Sequence, residues 1–139
     1  VNNSHLARYQ AVQIRTSSPG ELLIALFDGL FRFLAVAKHA FAGGKRGQAG
    51  EALSKAYAIL SELYSSLDHS KYPELCENLE SLYDFSMQRI THANRHNKPE
   101  AVDDVVRVLT PVREAFTQAV RAQAAQPAAA ANAEGARAY

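Results

Sequence analysis

The chain has 139 residues, 47% of them hydrophobic and 21% charged, with a formal net charge of +1. That is the length of one domain with enough apolar content for a core, and it excludes a chain disordered over most of its length. The near-neutral charge removes the electrostatic case for a nucleic-acid partner, and no apolar run approaches the ~20 residues of a membrane span. The single cysteine, Cys76, rules out an internal disulfide and a Cys-based zinc site.

Residues 1–17 read as a segment ahead of the first helix. They show no charged stretch followed by an apolar one, so no secretory signal is expected and a cytoplasmic location is. Ser18-Pro19-Gly20-Glu21 then predicts a helix start. Ser18 is placed to cap, Pro19 to occupy the first helical position and Glu21 to close a capping box. Apolar residues at helical spacing follow to Phe41, and Gly43-Gly44 stops the helix. A second periodic segment spans about Gln48 to Leu67, ended by Asp68-His69-Ser70. Pro73 opens a third segment that runs to about His96, and Asn97-Lys98-Pro99 breaks it. A fourth runs from Glu100 to about Ala124. Acids open the last two helices and bases close them, which suits the helix dipole.

Four helices with short connections predict an all-α, antiparallel up-down four-helix bundle over residues 18–124. The stretch 125–139 is dominated by Ala, is interrupted by Pro127 and Gly135, and is expected to be a flexible tail. Two residues inside helices stand out. Gly29 costs helix stability and predicts a close helix crossing. Pro111 removes one backbone donor and predicts either a kink or two shorter helices meeting at Thr110.

The predicted first helix carries two apolar stripes. One holds Leu22, Leu26, Leu30, Phe33, Ala37 and Ala40; the other holds Leu23, Phe27, Phe31, Leu34 and Phe41. Together they exceed the arc of about 100° that a bundle helix buries. Tyr57 and Tyr64 repeat beside the apolar face of the second helix, and Tyr83 and Phe85 adjoin that of the third. Surplus apolar surface needs a cover, and either an amphipathic partner segment or a second copy of the chain would supply one.

Signals for chemistry are weak. His92 and His96 share a helical face, but Ala93 stands where a metalloprotease motif needs Glu. No histidine has Glu three residues before it, so the di-iron pattern is missing. No phosphate-binding loop, dinucleotide fingerprint or haem-attachment motif occurs. The expectation is a non-enzyme with no cofactor or metal.

Several short motifs stand in order. They are Tyr9-Gln10, Thr16-Ser17-Ser18-Pro19-Gly20-Glu21-Leu22, Leu26-Phe27-Asp28-Gly29, Leu82-Tyr83-Asp84-Phe85, then Arg89, Ala93-Asn94 and Arg113-Glu114-Ala115-Phe116. In this series the chain resembles the bacterial flagellin-specific export chaperone family, FliS, over roughly residues 9 to 120. It departs in Ser17 for Ala, in Phe27 and Phe85 for Tyr, and in Phe116 for Trp. The resemblance implies a helical bundle that binds the disordered C-terminal segment of flagellin in apolar grooves. Binding would prevent polymerisation in the cytoplasm and present flagellin to the flagellar type III export apparatus. It also implies that an N-terminal segment around Leu6, Tyr9 and Ile14 folds over the binding surface until the partner displaces it. The candidate partner-binding residues are thus Tyr9, Ile14, Leu23, Phe27, Phe31, Tyr57, Tyr64, Tyr83 and Phe85. The competing expectation is an interaction protein that forms a homodimer or hetero-oligomer through the same surplus.

Overall fold

The structure, a computed structural model, describes residues 18–125. The N-terminal segment with Tyr9 and Ile14, and the tail beyond Ala125, lie outside the described residues.

Four helices follow in order: α1 (Pro19–Ala42), α2 (Arg46–Ser65), α3 (Pro73–His96) and α4 (Pro99–Ala124). The start of α1 is the expected capping box. The Glu21 N–H donates to Ser18 Oγ at 3.1 Å, and the Ser18 N–H donates to Glu21 Oε2 at 3.3 Å. Proline also begins α3 and α4, where its missing N–H costs nothing. Gly44 turns the chain after α1 at φ +71, and Asn97 turns it after α3 at φ 55. Both angles are left-handed, which Gly and Asn tolerate best.

α2 departs from the expected span by two residues at each end. It begins at Arg46, whose guanidinium donates to the carbonyls of Asn94 and Arg95, both at 3.2 Å, and so ties the helix to the end of α3. It ends at Ser65 because the Ser66 hydroxyl takes the Leu63 carbonyl at 2.9 Å. α4 runs unbroken through Pro111, so the alternative of two helices meeting at Thr110 is not realised.

α1 packs against α2 and α4, and α3 packs against the same two, which is the neighbour order of an up-down bundle. The core draws on both stripes of α1: Phe27, Leu30, Leu34 and Ala37 are fully buried. Leu53, Leu60 and Leu63 of α2, Tyr83 and Ile90 of α3, and Val102, Val105 and Leu109 of α4 meet them. Gly29 marks the expected close crossing. A methyl group built on it would lie 3.3 Å from Ile59 Cδ1 of α2. Among the described residues, no helix is long and apolar enough to cross a membrane.

Candidate functional site: an apolar groove at one end of the bundle

One end of the bundle is incompletely filled. Here α1 and α3 begin and α2 and α4 end, and a groove of about 510 Å³ opens between them. Leu63, Leu79 and Tyr83 form its buried floor. Leu22, Leu23 and Leu26 of α1 make one wall, and Phe116 and Ala119 of α4 stand beside them. Leu67, Tyr72 and Leu75 line the opposite wall. Tyr72 and Leu75 are 49% and 48% exposed, so large apolar side chains face water at the mouth. Apolar surface of this kind is what a partner helix covers.

The connection between α2 and α3 forms the rim. Asp68 Oδ1 accepts hydrogen bonds from the Ser70 N–H at 3.1 Å and from the Ser70 hydroxyl. These bonds hold the Asp68 carboxyl below its ordinary range. A fixed turn here sets the positions of Leu67 and Tyr72 on either side. At the floor, burial pushes the Tyr83 phenol up to about 12, so it meets an occupant uncharged at any physiological pH.

The wall made by α1 and α4 is stitched by two of the sequence motifs. Arg113 pairs with Asp28, and its guanidinium lies 4.9 Å from the ring centre of Phe31. The Phe116 ring sits 5.7 Å from that of Phe27. Leu26-Phe27-Asp28-Gly29 and Arg113-Glu114-Ala115-Phe116, 85 positions apart as judged from Asp28 and Arg113, therefore meet in space.

The sequence-predicted residues divide. Leu23 and Tyr83 line the groove. Phe27 is fully buried behind Phe116 and offers no surface to a partner of the closed bundle; both α1 stripes converge on the core there, which periodicity alone does not show. Phe31 is half-buried under Arg113 on the α1–α4 seam. Tyr57 is 42% exposed beside a separate, more polar hollow between α2 and α3. Tyr64 is half-buried in the core's margin, where the carboxylates of Asp84 and Glu80 push its phenol above the ordinary value. Phe85 is 39% exposed on α3 and is not part of the groove.

Sequence reasoning missed Tyr72 altogether and did not single out Leu22, Leu26, Leu67, Leu75 or Phe116 as a site. A usable signal was present. Leu67, Tyr72 and Leu75 are large apolar residues clustered around a short polar turn.

Comparison with known proteins bears on these motifs. The family model described as flagellar protein FliS matches residues 2–123. The chain is 36% identical over 106 residues to the flagellar secretion chaperone FliS of Salmonella typhimurium, covering 76% of this chain and 78% of that one. It is 33% identical over 106 residues to the protein of that name from Vibrio cholerae, with the same coverage. It is 29% identical over 123 residues to the one from Bacillus subtilis, covering 88% of this chain and 90% of that one. The motifs that build the groove wall lie inside the matched span, and this chain belongs to the FliS family of flagellar proteins.

Proposed function

We propose that this chain is a flagellar secretion chaperone and that its groove takes the disordered C-terminal segment of flagellin as a helix. The groove carries this reading: large apolar side chains, Tyr72 and Leu75 foremost, are held open to water at one end of the bundle. Ordering a disordered partner costs about 2–5 kcal/mol. At about 25 cal/mol per Å², roughly 200 Å² of apolar burial offsets the upper figure, and one helix face supplies that much. Held this way in the cytoplasm, flagellin cannot polymerise, and the pair is delivered to the flagellar export apparatus. No catalytic step enters.

Within this proposal the groove contacts are Leu22, Leu23, Leu26, Leu67, Tyr72, Leu75 and Phe116, over Tyr83. Residues 1–17 join α1 at Pro19, which itself lines the groove. Tyr9 and Ile14 are therefore proposed as the occupants that flagellin displaces. Tyr57, Tyr64 and Phe85 become contacts for a partner long enough to wrap onto α2 and α3.

Calorimetric titration of the flagellin C-terminal segment from the same organism tests this. Tight binding with a negative heat-capacity change is expected, because apolar surface leaves water. No heat, together with no co-elution on a sizing column, contradicts it. Concentration-dependent self-association would then favour a homodimer.

A further inference from the structure

The half of α4 beyond Pro111 is built differently from the half before it. Ala101, Val102, Val105 and Leu109 are buried, whereas beyond Pro111 no described side chain of the helix is. Yet Val112, Phe116 and Val120 continue the apolar stripe and are half-buried. The turn joining the halves is weak on two counts. Pro111 has no N–H to offer the Arg107 carbonyl, and its ring crowds that carbonyl. One residue earlier, Thr110 Oγ1 donates to the Val106 carbonyl at 2.6 Å, a side-chain bond that bends helices.

The outer half is seated on α1 by contacts of modest strength. The Arg113–Asp28 pair is well solvated at both partners, which makes it weak. The Phe116 ring rests on Phe27. Near the end of the helix, Val120 covers Gly20 so closely that a Cβ on Gly20 would lie 2.9 Å from Val120 Cγ2. Phe116 and Ala119 are also groove wall. Any outward swing of this half widens the groove and uncovers Phe27.

We infer that residues 112–124 form a flap hinged at Thr110-Pro111, closed in this structure, and that the partner helix enters by lifting it. The open flap adds Phe27 and Phe31 to the docking surface. The occupant is taken from the proposed function and rests on that reading, whereas the hinge itself does not.

Two experiments test the flap on the full chain. The first is amide hydrogen exchange without partner. A hinge makes amides 112–120 exchange as a block, about tenfold or more faster than 102–109, with a step at Pro111. Pro111→Ala restores the N–H and raises protection across the block. A smooth gradient inward from Ala125, unchanged by Pro111→Ala, is ordinary end-fraying and overturns the hinge. The second locks the flap. A Cβ on Gly20 lies 3.6 Å from Val120 Cβ, inside the range of about 3.5–4.5 Å that a disulfide spans. Gly20→Cys with Val120→Cys, on a Cys76→Ser background, is compared oxidised and reduced. The oxidised form is expected to bind the flagellin C-terminal segment at least about tenfold more weakly than the same protein reduced. Equal binding by both overturns entry through the flap. Absence of binding by the unmodified chain as well condemns the docking reading and with it the entry route, and the exchange step then decides the hinge alone.

Discussion

At the end of the bundle where α1 passes into α2 and α3 into α4, six alanines are buried: Ala37, Ala40, Ala49, Ala52, Ala93 and Ala101. At the opposite end the same four helices present Leu22, Leu23, Leu26, Leu67, Leu75 and Phe116, none of them fully buried. The connections differ in the same sense. Gly43–Lys45 and Asn97–Lys98 close the first end, and the longer Ser66–Tyr72 spans the second. Small side chains let helix backbones approach closely. Large ones hold the backbones apart, and where the helices run out there is no further layer to complete the packing. A groove is the result, and its apolar lining is retained without the reward of burial. One fold thus divides its labour: one end supplies stability and the other supplies surface.

Substitutions at the two ends should therefore act differently. The largest effect is expected from Phe27→Ala, in the shared core behind the groove, which should lose about 3–5 kcal/mol in urea denaturation. If it instead lowered partner affinity at unchanged stability, Phe27 would belong to the surface. Next comes the filled end. Ala93→Leu adds volume where Ala93 is fully buried, and about 1–3 kcal/mol of stability should go. A neutral outcome would mean that this end has slack.

Leu75→Asp probes the groove end. The side chain is half-exposed, so stability should shift by only about 0.5 kcal/mol. Affinity for the flagellin segment should fall by about tenfold or more, a change of ~1.4 kcal/mol. Equal affinity would remove the mouth of the groove from the docking surface.

The smallest effect concerns pH. Asp104 lies between Arg107 and Arg89, at 2.7 and 3.0 Å, and hydrogen bonds from these two guanidiniums hold its carboxyl below the ordinary value of 3.8. Its contribution is complete above about pH 4, the range of an unfolded carboxyl, and is lost as pH falls toward the lower folded value. Asp104→Asn should therefore lower the thermal midpoint at pH 6, with the gap to the unmodified protein narrowing as pH falls below about 4. A gap that did not narrow at all below about pH 4 would show that the carboxylate's charge is not the source.

The bundle was legible because its punctuation is local. Pro19, Pro73 and Pro99 start helices by their own chemistry, and the Ser18–Glu21 box closes within one turn. α2 has no proline and no side-chain cap at Lys45, and its ends lie two residues from where the sequence pattern puts them. The groove was far less legible, because helical periodicity reports a face and not a height along the bundle. Leu75 and Leu79 lie one turn apart on one face; Leu79 is buried and Leu75 is not, since the bundle ends between them. Leu23 and Phe27 have the same relation on α1, one in the groove wall and one in the core. Tyr72 sits outside any helix, where stripe-counting cannot reach it.

If the groove is the docking site, binding belongs to one end of the bundle. Amide chemical shifts of the labelled chain, followed by NMR as the flagellin C-terminal segment is added, test it most directly. Leu22–Leu26, Leu63–Leu67, Tyr72–Leu79 and Phe116–Val120 are expected to shift, while Ala40–Ala49 and Ala101–Val105 stay in place. Shifts concentrated at the alanine-filled end, with the groove residues unmoved, would contradict it.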